Sequence, residues 1–158
     1  MNSIDAITLK SEYVPDPHLV IRIDGTPLDS LLASAFPERL FSGLVPTLLD
    51  WIDDDRQSQI VWERILPSDC KSSVAPILMC PDDLDFWCTI VVAEISAASD
   101  VIHWMRLGID VSKREDLPDE IGKNVDWLDG IGPFTFDRDH YSRMLDTFRQ
   151  SAQPKHVT

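Results

Sequence analysis

FWCTIVVAEISAASDVIHWMRLGID, residues 86–110, is the stretch on which the fold turns. Phe86–Ile95 and Val101–Asp110 are rich in Val, Ile, Thr and Trp, residue types that fill a pleated, half-buried surface. Ser96–Asp100 lies between them as a short polar loop. The pattern predicts a hairpin of two antiparallel strands, with Trp87 and Trp104 in one sheet. Phe86–Ile95 is apolar on both faces and should be the central strand, whereas Glu94 and Arg106 mark ends that reach solvent. Upstream, Val74–Met79 (VAPILM) predicts a third neighbouring strand.

Toward the N-terminus, Leu19–Asp24 (LVIRID) predicts a strand that Gly25 ends. Thr26-Pro27-Leu28-Asp29 has helix-start chemistry: a Thr cap, Pro at the first helical position and an acid in the first turn. Leu28, Leu31, Leu32, Ala35 and Phe36 follow at helical spacing, giving one apolar face. Pro46–Ile52 (PTLLDWI) predicts a second short helix, and Asp53–Arg56 a solvated loop or cap. Gln59–Leu66 (QIVWERIL) fits either helix or strand. Its Ile60, Val61, Trp62 and Ile65, bounded by acids and Pro67, favour a strand.

Toward the C-terminus, Lys113–Lys123 is charged and broken by Pro118 and Gly122, which predicts a surface excursion. Val125, Trp127 and Leu128 predict an edge strand, and Asp129–Pro133 a turn into Phe134–Phe136. Asp137 should cap a last helix with Tyr141, Met144, Leu145 and Phe148 on one face. Strands grouped together and flanked by helices, without βαβ alternation, define an α+β domain. The expected architecture is a single domain over residues 1–150, a mainly antiparallel sheet with helices packed on one face. A polar, frayed tail is expected over residues 151–158.

The chain has 158 residues, 44% of them hydrophobic, enough to bury a core without a metal or disulfide staple. Its net charge is −13, with 11 acids against 5 bases in residues 1–66 and 16 against 9 in residues 67–158. So even an acidity repels phosphate backbones and argues against nucleic-acid binding. It steers basic partners inward, and it also serves solubility alone. Cys70, Cys80 and Cys88 are odd in number and match no metal or redox spacing, which predicts a reducing compartment. No secretory signal pattern opens the chain and no run of about 18 apolar residues occurs. A cytoplasmic protein away from any membrane is the expectation.

Two acidic clusters stand out. Asp82, Asp83 and Asp85 could hold a hard cation through their oxygens. Pro81 and the aspartates also have the chemistry of a turn before a strand, and no calcium-loop pattern is present. The turn is preferred, no metal or cofactor is assigned, and any further role is charge pairing with a partner. Asp53, Asp54 and Asp55 are read the same way, as exposed carboxylates available to a partner. Trp51 beside them is the tryptophan most suited to an interface, where Trp is enriched. His103 and Cys88 fall in apolar strands, as a satisfied histidine and a buried inert thiol. No nucleophile elbow, phosphate loop or paired-His motif occurs, which points away from an enzyme.

The stretches VWERILP (Val61–Pro67), PILMCPDDLDFWCTIVVAEI (Pro76–Ile95) and VIHWMRLGID (Val101–Asp110) resemble a group of small uncharacterised bacterial proteins. In its general aspect, a small acidic domain, the chain is similar to immunity proteins of contact-dependent inhibition and other polymorphic toxin systems. That resemblance implies a cytoplasmic factor that docks on a basic toxin domain, such as a nuclease, and blocks its active site. Such immunity proteins share no common motif, so no functional residue carries over. Two other roles fit the residues: a small-ligand or divalent-metal protein or enzyme with a carboxylate-lined pocket using His103 or Cys88, and a homodimer formed through a sheet edge.

Overall fold

The computed structural model of the chain describes residues 1–10, 14–86, 88–112 and 117–151. In chain order the elements are β1 (Ile4–Leu9), β2 (His18–Ile23), β3 (Thr26–Pro27), α1 (Leu28–Ala35), β4 (Val45–Pro46) and α2 (Asp55–Arg64). There follow β5 (Ser72–Met79), β6 (Ile90–Ala97), β7 (Val101–Asp110), β8 (Val125–Trp127), β9 (Phe134–Asp137) and α3 (Arg138–Ser151). The α+β class holds. An antiparallel sheet runs β4-β5-β6-β7-β8, and a smaller one runs β1-β2-β3.

The quoted stretch forms the predicted hairpin, β6 and β7, with β5 as the outer neighbour of β6. Ile90, Val91, Val92, Ala93 and Ile95 are all fully buried, as a central strand requires. The strand begins at Ile90, later than expected, because residues 81–86 and 88–89 lie in turns and irregular backbone. Trp87 lies outside the described residues, as do Lys113–Asp116 of the excursion and residues 152–158 of the tail. On its other side β7 has two partners: β9 along Val101–Trp104 and β8 along Gly108–Asp110. Gly108 is needed there, since a Cβ would stand 2.9 Å from both the Trp127 indole and the Asp126 carbonyl.

Tyr141 anchors the core. Its hydroxyl donates to the Ile65 carbonyl at the end of α2 (2.6 Å) and accepts from Trp104 Nε1 of β7 (3.3 Å). Both helices therefore pack on the same face of the sheet. Phe136 of β9 stacks on Tyr141 and meets Trp104 edge-on, centroids 5.9 and 5.3 Å apart. The predicted apolar face of α3 is buried at Tyr141, Met144, Leu145 and Phe148, and Asp137 Oδ1 accepts from the His140 amide as a cap. Arg138 grips the hairpin turn by donating to the Ala98 carbonyl (2.7 Å).

Three local expectations are corrected. Thr26 is no helix cap, because Asp24-Gly25, both at positive φ, make a two-residue hairpin turn that pairs Thr26-Pro27 with β2. The helix then starts at Leu28, with no side-chain cap. Pro46–Ile52 is a largely buried turn and not a helix. Val45-Pro46 pairs with β5, and Thr47 donates its amide to Ile77 and its hydroxyl to Pro76, which diverts the backbone from helical bonding. Gln59–Leu66 lies mostly in a helix and not a strand: Ile60, Val61 and Ile65 are buried while Arg56, Gln59 and Glu63 face water. Burial at helical spacing overrides the β-propensity of Ile and Val.

The surface excursion is tied down where it is described. The Arg64 guanidinium donates to the carbonyls of Asp119 (2.8 Å) and Ile121 (2.5 Å), and burial lowers its pKa from the ordinary arginine value. Arg56 pairs with Asp119, and Asp110 Oδ1 accepts from the Gly122 amide. Among the described residues no helix is long and apolar enough to cross a membrane.

Replacing Tyr141 with Phe should cost about 1–3 kcal/mol, since the buried Ile65 carbonyl and Trp104 N–H lose their partner. Burial raises the Tyr141 pKa, so the folded hydroxyl keeps its proton where an unfolded tyrosine ionises, near about pH 10. Stability is thus full below about pH 10 and falls above it. Denaturant melts at about pH 8 and about pH 10.5 should show a smaller drop for Tyr141→Phe than for the parent. Equal drops would remove the hydroxyl's buried proton from the account.

Candidate functional site

Asp54 is the N-cap of α2: its Oδ1 accepts from the Gln57 amide at 2.8 Å. Asp55 sits in the first turn, where a negative charge is favoured by the helix dipole. Asp53, Asp54 and Asp55 are all exposed. Gln57 is 3% exposed, and its Oε1 accepts from the Phe86 amide at 3.0 Å. Phe86 follows Asp85 directly and is itself buried. One buried glutamine thus fastens the start of α2 to the loop that carries the second acidic cluster.

That loop is a closed unit. Cys80 and Cys88 are joined by a disulfide, with Cα atoms 6.1 Å apart, and the Leu84 amide donates to the Cys80 carbonyl at 3.2 Å. Asp82 and Asp83 are exposed on its tip and Asp85 is half-buried. The preferred turn over residues 81–84 is what forms. Cys88 is not the free buried thiol expected of it, and it lies before β6 and not in the strand. An eight-residue separation matched no zinc or redox pattern, yet the turn folds the two Cα atoms to bridging distance. Cys70 is a free, exposed thiol.

Asp53, Asp82 and Asp83 make no hydrogen bond or ion pair to another described residue, whereas most of the described cations are engaged elsewhere. Arg22 pairs with Asp5, Arg39 with Asp126, Arg106 with Glu94, Arg138 with Asp69 and Arg149 with Asp146. Exposed pairs of this kind add little stability. Each neutralises the acid it pairs with, and none of these pairs includes Asp53, Asp82 or Asp83.

Not every expected site residue joins the corner. Trp51 is half-buried, with its ring edge-on to His18 of β2 at 5.2 Å, and it lines a separate cavity of about 310 Å³ with Thr8, Leu49 and Asp50. His103 is hydrogen-bonded to Thr135 Oγ1 (3.0 Å) and pairs with Ser96, at the end of β6 far from the acidic loop. A pocket combining His103 with the Asp82–Asp85 carboxylates is therefore not formed, and Cys88 has no thiol to offer it. Among the described residues no three His, Cys, Asp or Glu side chains stand close enough to hold a metal ion.

Gln57 was not singled out from the sequence, although Asp54-Asp55-Arg56-Gln57 has the spacing of a capping box. Here the glutamine reaches the loop instead of its own cap. The loop also borders a cavity of about 280 Å³ lined by Leu40, Ser42, Leu44, Pro81, Asp82 and Thr89. Leu40, 91% exposed, gave no signal because it belongs to no periodic pattern. Comparisons of the chain with protein families, with curated proteins and with solved structures find no match.

Replacing Gln57 with Leu should leave the buried Phe86 N–H unpaired, at about 1–3 kcal/mol, and accelerate exchange of that amide. Asp53→Asn should change stability by no more than about 0.5 kcal/mol. Unchanged Phe86 exchange in Gln57→Leu would show that the two acidic segments are held together by something else.

Proposed function

We propose that the protein is an immunity-type factor that neutralises a basic bacterial toxin domain by docking on it. The observation that carries this is the corner itself: Asp53, Asp82 and Asp83, unpaired among the described residues, on two segments fastened through Gln57 and Phe86. Complementary potentials accelerate encounter and reject wrong partners. A preorganised acidic corner also loses little conformational freedom on binding, which favours affinity. The chain's general aspect, a small acidic domain with a net charge of −13, is similar to immunity proteins and supports the same function. A basic nuclease domain is the partner class that such a surface fits best, because its nucleic-acid groove is positively charged.

The location proposed is the cytoplasm. Thiol pools there reduce most disulfides, so the Cys80–Cys88 bridge sets a condition on that proposal. Alkylation and peptide mapping of protein taken directly from cells reads it: a bridge found intact in every molecule counts against a reducing compartment.

The test of function is growth rescue. The C-terminal domain encoded by the adjacent upstream reading frame is induced with and without this protein, and survival is recorded. Rescue with a co-purifying complex is expected. Charge reversal at Asp53, Asp82 and Asp83 together should lower the association rate by about tenfold or more at low salt and flatten its dependence on ionic strength. No rescue by well-expressed protein, or a rate indifferent to the reversal, would contradict the proposal.

A further inference from the structure

The geometry points to a socket for one arginine side chain of the partner, in the cavity between residues 40–44 and the disulfide-closed loop; this inference rests on the docking function proposed above. The two walls come from different parts of the chain. The Gly43 amide donates to Asp29 Oδ2 at 2.9 Å, and the Leu44 amide to the Phe41 carbonyl at 3.3 Å, so residues 41–44 are fixed beside α1. Phe41 and Leu44 are buried at 1% and 6% exposure, and between them and α1 Leu40 is left in water at 91%. Opposite stand Cys80, Pro81 and Thr89, held by the Cys80–Cys88 bridge.

Chemistry narrows the occupant. Leu40, Leu44 and Pro81 offer an apolar lining to an aliphatic stem, and Asp82 stands in the same lining with no partner among the described residues. Arginine is the side chain that matches both, because its methylenes pack on apolar surface while its head stays charged. Its planar guanidinium is more weakly hydrated than an ammonium and meets a carboxylate with two parallel hydrogen bonds, which favours it over lysine. At about 280 Å³ the cavity falls just below the range of about 300–1,000 Å³ usual for small-molecule sites. Arginine is also among the residues most enriched as interface anchors.

The probes are three acetylated, amidated Gly-X-Gly peptides with X as arginine, lysine or citrulline, the neutral near-isostere of arginine. Each is titrated into the full ¹⁵N-labelled chain while amide shifts are followed. The arginine peptide should give saturable shifts at Ser42, Leu44, Asp82 and Thr89, with the lysine peptide weaker and the citrulline peptide about tenfold weaker or more. Asp82→Asn and Leu40→Ala, both at exposed positions, should each weaken the arginine peptide severalfold while Asp53→Asn leaves it unchanged. Equal responses to arginine and citrulline, shifts scattered over the acidic surface, or no saturable shift would overturn the socket. If the peptides fail while rescue and complex formation succeed, the socket falls and the docking function stands. If the arginine peptide fills the cavity and rescue fails, the docking function falls instead.

Discussion

The buried hydroxyl of Tyr141 is the constraint on which the arrangement depends. One oxygen joins three elements: α3, which carries it, α2, whose terminal Ile65 carbonyl accepts from it, and β7, whose Trp104 donates to it. A buried polar group without a partner is costly, so the two hydrogen bonds admit few relative positions of these elements. Fixing one end of α2 at Ile65 leaves its direction to a second contact, made by Gln57. Near the other end of the helix Gln57 accepts from the Phe86 amide and ties α2 to the loop that enters β6.

The same logic of buried hydrogen bonds applies to the loop that carries Asp82 and Asp83. Gln57 and Phe86 are nearly inaccessible to water, the disulfide closes the loop at its base, and Leu84 turns back to Cys80 within it. Aspartates on such a frame cannot easily disperse to relieve their mutual repulsion. Asp53, Asp82 and Asp83 are exposed to water, where like charges interact weakly. A cationic partner that excludes that water gains what the isolated protein leaves unused.

How far the residues alone reveal this varies with the kind of interaction. The β5-β6-β7 strands, the first helix and the last were legible because burial there follows a simple period: apolar on both faces for β6, and every third or fourth residue for Tyr141, Met144, Leu145 and Phe148. The reading failed where a non-local contact decides. QIVWERIL has β-forming side chains, yet its helical conformation follows from the Asp54 cap and from a sheet face that receives Ile60, Val61 and Ile65. Asp24-Gly25 carries a hairpin signal, and it prevails over the helix-start chemistry of the Thr-Pro that follows. At the site, the acidic clusters were visible as composition. The link between their two segments is a bond between residues 57 and 86, and the bridge depends on a turn that brings two cysteines together. Trp51 was grouped with the acids by sequence proximity, whereas its ring packs edge-on against His18.

The central claim is that two acidic segments act as one interface. Hydrogen exchange on a complex with the proposed basic partner tests it most directly, comparing each amide in the free and bound protein. The account expects new protection over residues 40–44, 53–57 and 80–90, and none on the outer face of α3. Protection centred on α3 and β1, or on only one of the acidic segments, would contradict it.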